Sequence, residues 1–253
     1  MKKTFYSLSS EKITKKIRIA LVSDLHAGAF SKVVEKLREI APDYILLAGD
    51  ILEALDGSCD EKNKRAVGVF KECAKIAPTF YTTGNHEDGG THSQSRKWKK
   101  MSGRERVYTA ENKRIILSAG VNFLMDSHLV KDGIAFGGLA SGLILDGGRP
   151  DLDFLGDFAK LKCPKILICH HPEYYERYIK TTDIDLIVSG HAHGGQWRIF
   201  GRGVYAPGQG LFPKYTSGVH DGRFVISKGL KKGIIPRFFN PREIVVIDIE
   251  PKR

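Results

Sequence analysis

The chain has 253 residues, 42% of them hydrophobic, and carries 40 Lys and Arg against 29 Asp and Glu, a net charge of +11. That size supports a sizeable core in a single domain spanning 1–253, and the charge favours anionic partners such as phosphate esters, nucleic acid or acidic lipid headgroups. Four cysteines with no C-x-x-C pair exclude a disulfide framework, and no apolar run approaches the roughly 18 residues of a membrane-spanning helix.

The first segment, MKKTFYSLSSEKITKK, is basic but has no apolar stretch of leader length. The expectation is a cytoplasmic chain with reduced thiols, with peripheral membrane association left open. IRIALVS (17–23) then reads as a buried strand. SKVVEKLREI (31–40) reads as a helix: Ser31 is a good N-cap, Val33, Val34, Leu37 and Ile40 follow 3.6-residue spacing, and Pro42 stops the run. YILLAG (44–49) is a strand, NKRAVGVFKECAKI (63–76) a helix and TFYTTG (79–84) a strand.

The basic stretch RKWKKMSGRER (96–106) reads as a solvated face, with a nucleic-acid patch around a stacking tryptophan as the alternative. A helix through Ile115 to Leu117 follows. VNFLMDSHLV (121–130), IAFGGLA (134–140), KILICHHP (165–172) and DIDLIVSGHAH (183–193) continue the strands, with the helical EYYERYIK (173–180) between the last two. Cys169, inside an apolar run, reads as a small buried hydrophobe. GRFVISKG (222–229) and REIVVIDIE (242–250) read as a C-terminal strand pair. Strands alternating with helices imply crossover connections and sheets covered by helices.

Five strand-like runs end in polar side chains: Asp24 and His26, Asp50, Asn85 and His86, His170 and His171, then His191 and His193. The carboxyl ends of strands in an open α/β sheet border the crevice where ligands bind. Taken singly, Asp-x-His is a common turn and Gly-Asn-His a common loop. Together they place six of nine histidines at one rim, a burial that would be costly without a bound cation. Mixed carboxylate and imidazole donors suit Mn²⁺ first, then Fe or Zn²⁺, while the absence of cysteine argues against structural zinc. One ion takes at most about six ligands, so this set suggests two divalent metals sharing a carboxylate, roughly 3.5–4 Å apart as in phosphatases and nucleases.

The order D-x-H (Asp24, His26), G-D (Gly49, Asp50), G-N-H-E (Gly84 to Glu87), lone H (His170) and G-H-x-H (Gly190 to His193) resembles the calcineurin-like metallophosphoesterase superfamily. The run G-H-A-H-G-G-Q (Gly190 to Gln196) and the tail S-K-G-L…P-R-F-F-N-P-R-E-I resemble the bacterial YkuE and YaeI-type phosphodiesterases. The resemblance implies an α/β four-layer sandwich, two mixed sheets face to face with helices outside. It implies one metal on Asp24, His26, Asp50 and His193 and a second on Asp50, Asn85, His170 and His191, with Asp50 bridging. His86 would be the catalytic histidine, a non-ligand that stabilises the phosphoryl group or protonates the leaving oxygen. Where relatives often read G-D-x-x-D or G-D-x-x-N, this chain has G-D-I-L-E, so Glu53 is a candidate for orienting ligands. His171 is a candidate for the same supporting role or a structural one.

The expected function is hydrolysis of a phosphodiester or pyrophosphate by metal-bound hydroxide. A nuclease is the alternative within the superfamily, on the charge of +11 and the RKWKK segment. A catalytically inactive binding scaffold is the alternative of a different class, and is disfavoured because the chain keeps His86 and every ligand. Loops 88–104 and 139–150, which would set the substrate, match no pattern, nor do His92, His128 and His220.

Overall fold

The computed structural model describes residues 1–53, 60–87, 110–141, 149–232 and 236–252. Cys59, His92, the 88–104 loop, the basic 96–106 segment and residues 142–148 lie outside the described residues.

Two six-stranded mixed sheets form the body. The first contains β1 (Lys2–Ser10), β2 (Ile17–Val22), β3 (Tyr44–Ala48), β4 (Thr79–Thr82) and β5 (Asn122–Phe123). The second contains β6 (Ser127–Lys131), β7 (Ile134–Leu139), β8 (Lys165–Cys169) and β9 (Leu186–Ser189). Two short ribbons follow, β10 (Arg198–Ile199) with β11 (Arg202–Gly203) and β12 (Tyr205–Ala206) with β13 (Gly210–Leu211). β14 (Gly218–His220) and β15 (Phe224–Ile226) complete the second sheet, and β16 (Glu243–Pro251) completes the first. The strand orders are β1-β16-β2-β3-β4-β5 and β14-β15-β9-β8-β7-β6. β2 to β5 run parallel to one another, as do β15, β9, β8 and β7.

Strands buried on both faces read as near-continuous apolar runs, and β3, YILLA, is buried at every position. Ile19, Leu46 and Phe80 of the first sheet meet Phe136, Ile168 and Val188 of the second. Phe80 and Phe136 stack with ring centroids 3.9 Å apart. Val33, Leu37 and Phe70 cover the first sheet from outside, and Leu155, Phe158 and Tyr175 cover the second. Helix, sheet, sheet and helix are the four layers of the α/β sandwich. No helix among the described residues is long and apolar enough to cross a membrane.

Several local readings need correction. The C-terminal runs do not pair: β15 lies beside β9 in the second sheet, whereas β16 sits between β1 and β2 in the first. The alternation in β16 has two buried faces, with Ile244 and Val246 toward the helices and Val245 and Ile247 toward the other sheet. β1 has no counterpart in the sequence reading, because its side chains alternate between exposed and half-buried at a sheet edge. The helix Ser31–Ile40 is capped by Phe30 rather than Ser31, with no side-chain cap hydrogen bond, and it ends at Ala41 in the left-handed region. The 63–76 run is broken into Asp60–Ala66 and Gly68–Ala74. A Cβ on Gly68 would stand 3.0 Å from the Phe30 ring, so this close approach fits the glycine. The 121–130 run splits between β5 and β6, which belong to different sheets.

Candidate metal centre

The parallel order sets the carboxyl ends of β2, β3 and β4 side by side, and those of β8 and β9 belong to the facing sheet. Asp24, His26, Asp50, Asn85 and His86 therefore come from the first sheet, and His170, His191 and His193 from the second. The backbone is bent hard at these ends. Asp24, His26, Asp50, His191 and His193 all have positive φ, between 47° and 64°. Such a conformation costs a side-chain-bearing residue roughly 1–2 kcal/mol, and persists where the surroundings over-determine it. Here the first two turns are sewn together: Asp24 N–H donates to Gly49 O at 3.1 Å and His26 N–H to Asp50 O at 2.9 Å.

Glycines in two of the motifs make room for carboxylates. A Cβ on Gly84 would stand 2.2 Å from Asp50 Oδ1, and one on Gly190 2.6 Å from Asp24 Oδ2. The G-N-H and G-H-x-H glycines are thus needed by the carboxylates of Asp50 and Asp24, which follow other strands.

Four groups of donors converge among the described residues, His26 with Glu53 and His86, His171 with Glu173 and His191, and two that contain Asp50. Asp24, His26, Asp50 and His193 offer ligand atoms that all lie within 4.8 Å of one another, and so do Asp50, His170 and His191. Asp50 belongs to both. His193 Nε2 is 3.1 Å from Asp24 Oδ1 and 3.2 Å from His26 Nε2. His170 Nε2 is 3.2 Å from Asp50 Oδ2, and His26 Nε2 is 3.6 Å from the same oxygen. Asn85 is buried on the turn that carries His86.

Other residues set which face each ring presents. Carbonyl and carboxylate oxygens only accept, so the imidazole nitrogen facing one carries the proton. His170 Nδ1 donates to Ala48 O at 2.7 Å, and His26 Nδ1 to Glu53 Oε1 at 2.9 Å. With Nδ1 so engaged, Nε2 of each ring is the nitrogen turned inward, the one that would give up any proton and offer its lone pair to a metal. The other oxygen of Glu53 accepts from His86 Nδ1 at 2.8 Å. His86 Nε2 is 3.9 Å from Asp50 Oδ2, and its backbone N–H donates to Asp50 Oδ1 at 2.9 Å. Lys231 Nζ reaches to 4.0 Å from Glu53. His171 turns the other way, with Nε2 2.6 Å from Ser141 Oγ and Nδ1 3.3 Å from Glu173 Oε1.

Burial and charge act in opposition on these groups. Burial holds His26 down to about 4 and His191 down to about 3. Burial also opposes charge on His170, but the Asp50 and Asp24 carboxylates outweigh it and raise the ring to about 10. Burial raises Asp50, yet the surrounding histidines, His170 first, hold it well below the usual carboxylate range. His86 is raised, since Asp50 and Glu53 overcome its burial.

Four supporting residues had no role in the sequence reading. Glu87, the last letter of G-N-H-E, is fully buried and accepts four backbone N–H groups, from Asp50, Ile51, Leu52 and Gly84, at 2.6–2.9 Å. Burial and the nearby Asp50 charge push it up to about 7. Asn240 Nδ2 donates to His193 O at 2.7 Å and Gln196 O at 3.0 Å, and Arg237 Nη2 donates to His193 O at 2.7 Å. Both lie in the P-R-F-F-N-P tail, which thus steadies the G-H-A-H turn. Glu173 groups with His171 and His191, and neither of its buried oxygens has a hydrogen bond. The only signal for it is its place three residues after His170.

The donor set fits divalent metal. Asp24 Oδ2, His170 Nε2 and His191 Nε2 are buried without a hydrogen-bond partner, a condition that costs each atom roughly 1–3 kcal/mol unless something else satisfies it. Convergent lone pairs of carboxylate and imidazole are what a cation requires.

Comparison with known proteins bears on the family. The family model described as calcineurin-like phosphoesterase matches residues 17–195. YpbG of Bacillus subtilis (strain 168) is 28% identical over 91% of this chain and 80% of its own length. YkuE, a metallophosphoesterase of the same organism, is 25% identical over 92% of the chain and 79% of its own length. The metallophosphoesterase Cj0846 of Campylobacter jejuni is 26% identical over 95% of the chain, which spans only 61% of that relative. With its five motifs at the strand ends of a two-sheet sandwich and the family model covering most of its length, the chain belongs to the calcineurin-like phosphoesterase family.

Proposed function

We propose that this chain is a two-metal phosphoesterase that hydrolyses a phosphodiester or pyrophosphate bond. The observation that carries the reading is the position of Asp50, whose carboxylate belongs to two of the groups of convergent donors. Asp24, His26, Asp50 and His193 would hold one divalent ion, and Asp50, Asn85, His170 and His191 the other, with Mn²⁺ preferred and Fe or Zn²⁺ the alternatives. When bound, the ions would activate water at neutral pH and neutralise charge on the phosphoryl oxygens.

The remaining steps belong to the side chains. Glu53 orients the His26 and His86 rings together through their Nδ1 atoms. That leaves His86 Nε2 facing the rim, and the Asp50 and Glu53 charges favour a proton there. His86 Nε2 would hand that proton to the leaving oxygen as the ester bond breaks. Lys231 adds positive charge on the same side, beside Glu53.

Elemental analysis tests the metal arrangement. The wild-type chain should hold two ions and Asp50→Ala should lose both, whereas full occupancy of either site in that variant would defeat the shared carboxylate. Turnover tests the substrate class: with Mn²⁺, bis(p-nitrophenyl) phosphate should be preferred to p-nitrophenyl phosphate, and a large preference for the monoester would reverse it.

A further inference from the structure

Apolar side chains stand out from the surface directly beside the metal centre. Phe200 and Phe239 are 102% and 88% exposed, and Phe238, Ile199 and Trp197 are exposed beside them. Trp197 to Gly201 and Phe238 with Phe239 line one groove of about 660 Å³. Phe212 lies on the neighbouring ribbon, its backbone N–H bonded to Val204 O at 2.8 Å. Soluble surfaces rarely leave so many large apolar groups contiguous and exposed.

These groups sit on a rigid base. The two sides of the groove are joined by Arg198 N–H to Phe238 O at 3.1 Å and by Trp197 Nε1 to Pro236 O at 2.9 Å. Arg237 and Asn240, which flank the two phenylalanines, both donate to the carbonyl of the ligand His193. The apolar tips and the metal centre are therefore fixed relative to each other.

The stretch of chain that carries the tips is rich in cations. Residues 190–240 carry eight Lys and Arg (Arg198, Arg202, Lys214, Arg223, Lys228, Lys231, Lys232, Arg237) and a single acid, Asp221. Asp221 is occupied by Tyr175, whose hydroxyl donates to it at 2.9 Å. Lys214, Lys228 and Lys231 face the carboxylates of Glu176, Glu243 and Glu53, whereas Arg202 and Lys232 are exposed with no described carboxylate paired to them. Exposed aromatic and aliphatic tips with Arg202 beside them, opposite Ile199, match an anionic lipid bilayer, where rings enter the boundary between headgroups and chains and cations stay at the phosphates. A protein partner would need only the apolar part, whereas the unpaired Arg202 and Lys232 and the net charge of +11 favour an anionic bilayer.

We propose that this face docks on an anionic membrane surface through Phe200, Phe239 and Trp197, with the cations at the headgroup phosphates. The docking is independent of the reaction proposed above. It places the metal centre at the level of lipid headgroups.

Sedimentation of the full chain with vesicles is the test. Phosphatidylcholine vesicles with about one third phosphatidylglycerol should carry the protein down, and pure phosphatidylcholine vesicles much less. Phe200→Ser with Phe239→Ser should weaken that partition roughly tenfold or more, with unchanged circular dichroism, melting and turnover of soluble esters. High salt should weaken it further, as charge is screened. In a Trp98→Phe background, Trp197 emission should shift to the blue on adding the anionic vesicles. Absence of wild-type binding to anionic vesicles, equal binding by the double variant, or unmoved Trp197 emission would each overturn docking. Self-association lost in the double variant, without vesicle binding, would show that the face joins two copies and would also overturn it.

Discussion

Glu87 accepts the backbone N–H of Asp50 at 2.7 Å from a position with no solvent exposure. Its two oxygens each take a second or further donor, so the turn that presents Asp50 is hung on one carboxylate. In Glu87→Gln the amide would present hydrogens to two of those donors, leaving buried N–H groups unpaired. The expected loss is about 3 kcal/mol or more of folding stability, with reduced metal content in the folded fraction. Urea denaturation and elemental analysis read the two effects, and a variant with wild-type stability would show that the turn stands without the carboxylate.

His86 and His191 should separate chemistry from binding. His86→Ala should keep its metal while kcat falls roughly 10²–10⁴-fold, the usual worth of a positioned acid or base. The loss should be larger for alkoxide than for p-nitrophenolate leaving groups, which need little protonation. His191→Ala should instead deplete one ion. Metal loss from His86→Ala would make it a ligand, and unchanged turnover on every substrate would remove it from the chemistry.

The chelator-treated chain should be most stable near pH 6.5. Burial holds His26 and His191 well under their ordinary 6.5, at about 4 and about 3, and also lowers His171. The unfolded chain takes up protons there first, so stability falls as pH drops below 6.5. Glu87, pushed up to about 7, works against them, one group opposing three. His170 acts above this window: held at about 10, its contribution is complete below 6.5 and lost as pH rises through 10. Urea midpoints across pH measure both limbs. His191→Asn should flatten the acid limb, and a flat curve from pH 6.5 to 4 would contradict the assignment.

Phe136→Ala removes one of the two rings stacked 3.9 Å apart between the sheets. The cost should be about 3–5 kcal/mol, for lost burial plus the cavity left behind. Chemical denaturation measures it, and a loss under about 1 kcal/mol would mean that the seam repacks freely.

What could be read from the sequence was local. Asp24, Asp50 and His191 follow strands whose apolar runs are continuous, so strand and candidate ligand are visible within a few residues of each other. β1 escaped because Lys2, Lys3 and Ser7 look like any solvated segment, and its strand character comes from a partner at the other end of the chain, Thr4 opposite Val245. The separation of β15 from β16 escaped for a related reason: alternation identifies a strand but does not name its neighbour. Glu87 and Asn240 act on backbone N–H and C=O groups, which every residue has, so no letter in the sequence announces their targets. Phe200 and Phe239 became meaningful only once the fold left both exposed on one groove.

The candidate ligands rise from both sheets, which would give bound metal a mechanical role. Away from that rim, apolar contacts such as Phe80 on Phe136 resist separation but can slide, and Tyr44 Oη adds a hydrogen bond to Asp132 at 2.8 Å. Ions held by Asp50 on one side and His170 on the other would act as rivets through the seam, adding folding free energy only while both halves are in register. Loading should therefore slow amide exchange at the ends of β3 and β8 together, with the outer helices little changed. Chelation should release both strand ends at once, as a hinge opens when its pin is drawn.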